Sequence, residues 1–353
     1  VESTLAQLFK VKGKHSYVGG PAYYMERGLK KRWMGVLFAV LITVTFGLAF
    51  NSVQSNTMSA ALQSAFSIEP LNSGIVISVL TLVIIFGGVH RIAAISSVIV
   101  PVMAVGYIAL ALFVVLANID RIPAVVEQIV GNAFGWHQAV GGGIGTALMQ
   151  GIKRGLFSNE AGMGSAPNAA ATAHVTHPAK QRFIQALGVF TDTLLICSCT
   201  AFIILFGEDY VGSGLDGIQL TQAALTSEVG NIGCIYVAIA TLFFAYSSIL
   251  GNYYYGEANI RFFTSRQWPV VLYRMLVGGM VLFGSLASLN LVWNLADVTM
   301  ALMSICNLIA ISLLGKYAFR LLDDYLAQKR KGIKSPVFHK EQMKDIEQDL
   351  ECW

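Results

Sequence analysis

The chain has 353 residues, of which 55% are hydrophobic and 12% charged, with a formal net charge of +4; its mean hydropathy is +0.62. Soluble chains carry about 25% charged residues. A soluble globular domain and a disordered chain are therefore both excluded, and the composition is that of a membrane protein.

The chain opens at Val1 with VESTLAQLFKVKGKH, which has neither the apolar core of a signal peptide nor the pattern of a transit peptide. It reads as a start inside a longer protein, with residues 1–35 forming a cytoplasmic segment. Apolar stretches of about 20 residues then suit membrane-spanning helices. Eight are expected, over 36–60, 71–89, 92–117, 143–173, 184–206, 232–258, 270–290 and 292–318. In an alternative reading 143–155 is a surface helix and the span starts near Leu156. The stretches are too evenly apolar to alternate as strands, so the fold class is all-α, a helical bundle and not a barrel. Short surface helices are expected at 122–134 and, after the Gly-rich turn GSGLDG, at 218–230. The tail from Lys329 to Trp353 mixes both signs of charge and reads as solvated. His174 and His177 flank a helix end and read as solvated too, and His90 beside Arg91 as a loop residue. Of the five cysteines, Cys197, Cys199, Cys234 and Cys306 lie in apolar stretches and read as small buried side chains, while Cys352 lies in the tail.

Eight spans put both ends on one side. Of the 24 Lys and Arg residues, twenty fall on that side and only Arg121 on the other. The asymmetry places both termini in the cytoplasm.

Charges within spans are expensive and mark function or pairing. Glu257 and Arg274 lie near cytoplasmic helix ends, where they can pair or reach headgroups. Asp297 reads as an interhelical partner or an interfacial residue, with a helix-start acid as the alternative, and Asp192 lies deeper, open to a structural or an ion-path reading. GIKRGLFSNEAGMGSAPN, from Gly151 to Asn168, is different in kind. It carries Lys153, Arg154 and Glu160 together with four glycines and a proline. A continuous helix through Gly162 and Gly164 is disfavoured. A helix broken at membrane depth exposes amide N–H groups on one side and carbonyls on the other, suited to a carboxylate and a cation. Ser247, Ser248 and Asn252 form a second polar cluster, whose hydroxyls suit a hard cation such as sodium. Phe46, Phe50, Asn51 and Gln54 form a third, read from the residues alone as packing with interhelical hydrogen bonds. There is no HExxH, GxSxG or P-loop, so no enzyme is indicated, and no cofactor or nucleic-acid site.

The stretch GIKRGLFSNEAGMGSAP closely resembles the alanine or glycine:cation symporter family. RGLKKRWMGVLFAV near Arg27, FGLAFNSVQ near Phe46 and SSILGNYYYGE near Ser247 extend the resemblance over nearly the whole chain. The family is similar in fold to the leucine-transporter type, with two inverted five-helix repeats. The resemblance implies that 36–117 holds the last three helices of the first repeat and 143–318 the second repeat, with 319–353 a cytoplasmic tail. It implies that the leading helix and the first two core helices lie outside this chain. It further implies that Asn159, Glu160, Gly162 and Ser165 belong to a broken sixth core helix, with Met163 and Gly164 touching the substrate. Ser248 and Asn252 would contact substrate from the eighth, Phe46 and Phe50 from the third, and Ser247 with Ser248 would ligate sodium. Many relatives carry Trp where this chain has Asn252, which opens the question of substrate size. The expected activity is sodium-coupled symport of alanine or glycine in the cell membrane, with proton coupling through Glu160 or Asp192 as the alternative and a non-transporting channel or scaffold a more distant one.

Overall fold

A computed structural model describes residues 1–13, 16–87, 89–133, 143–207 and 213–353. Lys14, one of the twenty basic residues counted, lies outside the described residues, as do the side chains of His90 and Arg91.

The chain begins with a short helix α1 (Glu2–Leu8), a two-stranded antiparallel ribbon pairing Val11 with Val18, and α2 (Pro21–Arg27). These are folded parts of the body. Leu5, Leu8, Phe9, Tyr24 and Met25 are fully buried in the main apolar cluster. Then comes α3 (Arg32–Phe66), a 35-residue helix interrupted by a π-helical segment at Thr45–Phe50. A π segment inserts an extra residue into the helical ladder and leaves backbone groups loosely paired. The Asn51 amide fills one gap, donating to the Gly47 carbonyl at 3.0 Å.

Next are α4 (Pro70–Phe86), α5 (Val89–Ala117) and α6 (Ile122–Ala133). The axis turns by 75° between Pro101–Ala117 and Ile119–Asn132. After α7 (Gly143–Asn159) the helix breaks, resuming only for α8 (Ala166–Ala170). The rest is helical: α9 (Pro178–Phe206), α10 (Gly217–Val229), α11 (Asn231–Phe263), α12 (Trp268–Leu286) and α13 (Leu289–Arg330).

Among the described residues five helices, α3, α9, α11, α12 and α13, are long and apolar enough to cross a membrane. The bent pair Pro101–Ala117 and Ile119–Asn132 makes a sixth if it counts as one span, and α4 is a shorter apolar helix of 17 residues. At about 1.5 Å per residue, the 42 residues of α13 reach roughly 63 Å, twice a hydrocarbon core of about 30 Å. Its charged second half therefore extends beyond the bilayer. Helix α3 sits centrally, packed on α11 and α12, while α4 packs on α12. Leu187, Phe190 and Leu194 of α9 stay exposed, as lipid-facing side chains do.

Three expectations are corrected. The tail is not a solvated extension: Phe338, Met343, Ile346 and Leu350 are buried in the main cluster. His90 and Arg91 lie in the first turn of α5, not in a loop. His174 is exposed, but His177 is completely buried at the start of α9. Its Nδ1 accepts from the Ala179 N–H at 3.1 Å, so the proton sits on Nε2 and is donated to Asp324 at 3.1 Å. Burial holds this imidazole below its usual pKa.

Candidate functional site

Helix α7 ends where its backbone can no longer stay helical. Glu160, Gly162 and Gly164 all have positive φ, at 54°, 86° and 89°, a conformation glycine adopts freely and Glu does not. The Asn159 side chain accepts from the Ala161 N–H at 2.9 Å, and Glu160 accepts from the Ser165 hydroxyl. Pro167 stands in the first turn of α8, where its missing N–H is no loss.

The freed backbone groups are taken up by the protein itself. The Gly162 N–H donates to the Glu2 carboxylate at 2.9 Å, and the Gly162 carbonyl accepts from the Asn307 amide at 2.9 Å. Asn307 also donates to Glu2 and accepts from the Tyr24 hydroxyl. The expected opening for a substrate carboxylate at Gly162 is thus filled by α1. Met163 is fully buried in the core, and an added Cβ at Gly164 would meet Phe38, Pro21 and Asn307. Neither residue lines the cavity described next.

The other expected residues converge one step away. A cavity of about 360 Å³ lies between Phe50 and Gln54 of α3, Phe157 and Ser158 of α7, Glu160 at the break, and Ser248, Gly251, Asn252 and Tyr255 of α11. Its size suits a small-molecule site. Phe46 is fully buried behind it, its ring 4.5 Å from that of Phe50 and 5.5 Å from that of Tyr255. The Phe157 ring packs at a tilt against those of Phe50 and Trp293, each 4.6 Å away, and the Arg154 guanidinium lies 4.2 Å over the Trp293 ring. Arg154 holds Asp297 at 2.7 Å, with Lys153 at 3.8 Å. Asp297 is therefore an interhelical partner, the first of its two expected roles.

The polar wall continues behind Ser158, whose hydroxyl donates to Asp192 at 2.5 Å. Asp192 opens a second π segment, Asp192–Ile196. Across the cavity Asn252 donates to Asn51 at 3.1 Å. The Ser247 and Ser248 hydroxyls both donate to the Phe244 carbonyl, at 2.8 and 3.1 Å. Only Ser248 lines the cavity. A larger opening of about 620 Å³ involves Asn56, Gln63, Glu69 and Asp216 at the helix ends and contains none of the expected residues. Glu257 and Arg274 face each other at 3.4 Å, with Arg261 on the same carboxylate at 2.6 Å, as a structural cluster.

Phe157, Ser158, Gly251 and Tyr255 were not singled out from the sequence. Phe157 and Ser158 immediately precede the break. Gly251 and Tyr255 follow Ser248 at helical spacings of three and seven, which puts all three on one face. Gln54 lines the cavity, so its cluster does more than pack.

Known proteins resemble this chain throughout. It is 56% identical over 353 residues to the probable sodium/glutamine symporter GlnT of Bacillus subtilis, covering 100% of this chain and 73% of that protein. It is 53% identical over 354 residues to the amino-acid carrier protein AlsT of the same organism, covering 100% and 75%. To the sodium/alanine symporter AgcS of Methanococcus maripaludis it is 38% identical over 306 residues, covering 84% and 67%. The model of the sodium:alanine symporter family matches residues 1–340. The chain therefore belongs to the sodium:alanine symporter family, which makes it a multi-pass membrane transporter of amino acids and not an enzyme.

Proposed function

We propose that the chain is a sodium-coupled symporter of small neutral amino acids, alanine or glycine, with the cavity beside the break as its site. The observation that carries this reading is the lining. Aromatic walls from Phe50, Phe157 and Tyr255 surround Glu160, Gln54, Ser248 and Asn252 where two π segments and a helix break converge. Side-chain oxygens of this kind suit sodium. In this reading 143–318 is one five-helix repeat of the leucine-transporter type and 36–117 supplies three helices of its inverted counterpart. Transport is alternating access, one bundle rocking against the other around the cavity.

Reconstituted into liposomes, the protein should take up labelled alanine on an inward sodium gradient and not on a proton gradient alone. Ser248 lines the cavity and Ser247 does not, so Ser248→Ala should raise the sodium concentration for half-maximal uptake. Loss of one ligand costs about 1–3 kcal/mol, on the order of 5–150-fold in affinity. Ser247→Ala should have a smaller effect. Uptake driven by protons alone and abolished in Asp192→Asn would replace sodium with protons.

A second reading, transport of a larger amide-bearing amino acid, is favoured by Asn252 and Gln54 in the lining and by the name of the sodium/glutamine relative. Competition of glutamine against labelled alanine separates the two. For orientation, the excess of basic residues supports a cytoplasmic tail. Cysteines at the exposed positions Lys334 and Asp216 should react only from the cytoplasmic side and only from outside, respectively.

A further inference from the structure

Beyond Arg330 the chain turns at Gly332, whose φ is 81°, and folds back onto the end of the bundle. Phe338, Met343, Ile346 and Leu350 are each at most 6% exposed and share one apolar cluster with Phe38, Met163 and Met303. The polar groups of this tail reach two separate parts of the protein. Toward the amino-terminal elements, Glu351 pairs with Arg27 at 2.8 Å and accepts from the Lys12 N–H at 3.0 Å, while Asp349 pairs with Lys30. The Trp353 indole donates to the Gln7 carbonyl at 3.0 Å. Toward the segment after the break, the Phe338 N–H donates to the Thr176 carbonyl at 3.0 Å, and the Thr176 hydroxyl donates to the Pro336 carbonyl at 2.9 Å.

A short relay joins Trp353 to the broken helix. The Lys10 ammonium lies 4.7 Å over the Trp353 ring and donates to the Gln7 side chain at 2.7 Å. The Gln7 amide in turn donates to the carbonyls of Ala170, at the end of α8, and Ala173, at 2.5 and 2.9 Å. Met163, Phe38 and Tyr24, all fully buried, belong to the one apolar cluster that holds both Phe50 of the cavity wall and Phe338 of the tail. Helix α1 packs against α8, α9 and α13 along one seam. The tail lies across that seam.

We propose that residues 333–353 form a releasable clasp, which holds α1 and α2 against α8 and α9 and keeps the route from the cavity to the tail face closed until it lets go. The inference rests on the transport reading above. The polar part of the clasp is built for release: the Arg27–Glu351 and Lys30–Asp349 pairs are partly exposed, and such pairs are individually weak and screened by salt.

The test is a reversible cross-link. Cysteines replace Arg27 and Glu351 in a protein whose five native cysteines are changed to serine or alanine. Because the ion pair touches only at the tips of two long side chains, the thiols are bridged by a bis-methanethiosulfonate reagent long enough to span the removed side chains. Sodium-driven alanine uptake by proteoliposomes is measured before the thiols are bridged, after it, and after reductive cleavage of the bridge. The clasp predicts at least a tenfold fall on cross-linking, recovery on reduction, and retained sodium-dependent alanine binding by the cross-linked protein. Uptake at the unlinked rate with the bridge formed would overturn it. No uptake before cross-linking would overturn the transport reading, and the clasp with it.

Discussion

Gly164→Leu is expected to abolish uptake, and Gly164→Ala to impair folding more than Gly162→Ala does. Both glycines have φ near +90°, where a side chain costs about 1–3 kcal/mol in backbone strain. Their surroundings differ. An added Cβ at Gly164 would stand 2.7 Å from Phe38, 2.8 Å from Pro21 and 3.0 Å from Asn307, whereas at Gly162 the nearest atom is Leu308 at 3.2 Å. Overpacking at Gly164 adds about 1–3 kcal/mol. It also presses on Asn307, which holds both Glu2 and the Gly162 carbonyl. Gly162→Ala should therefore lose about 1–3 kcal/mol and Gly164→Ala about 2–6 kcal/mol, read from melting in detergent beside proteoliposome uptake. Equal melting points for the two alanine variants would mean that the break is not seated on Phe38 and Asn307.

The break itself is legible in the residues, because two glycines within three positions and a proline soon after cannot carry an ordinary helix. The partners of the break are not. Glu2 lies 160 residues from Gly162 and opens a short segment with no apolar period long enough to mark a span. Nothing local reveals that its carboxylate fills the opening that a helix break offers to an anion. The same limit applies to His177, whose burial depends on Asp324 and on the Phe338 ring 5.7 Å away, both far off in sequence.

In the tail a signal was present. Met343, Ile346 and Leu350 recur at spacings of three and four, a buried stripe within a charged stretch. The charges of both signs hid it, because they read as a solvated surface while several are ion-paired to Arg27, Lys30 and Arg320. Of the substrate-site expectations, Phe50, Ser248 and Asn252 meet at one cavity together with Glu160 of the break. Met163 and Gly164 instead belong to the packed side of the break. One motif therefore holds both a lining and an anchor, and its two faces are told apart only once the neighbouring helices are placed.

Gly251 gives the most direct test of the cavity as the transport site. It lies within α11 and lines the cavity, and an added Cβ there meets nothing within 4 Å. A large side chain should enter the empty space without displacing protein atoms. Removing a glycine from a helix interior also stabilises by up to about 1 kcal/mol. The measurement is sodium-dependent binding of labelled alanine, and of labelled glutamine, to purified wild-type, Gly251→Ala and Gly251→Phe proteins, with melting points taken in parallel. The cavity assignment predicts saturable binding of at least one of the two in sodium and none in choline for the wild type, with near wild-type affinity in Gly251→Ala. It predicts at least a hundredfold loss in Gly251→Phe with an unchanged or higher melting point. Wild-type affinity in a folded Gly251→Phe protein would contradict it and place the substrate elsewhere in the bundle.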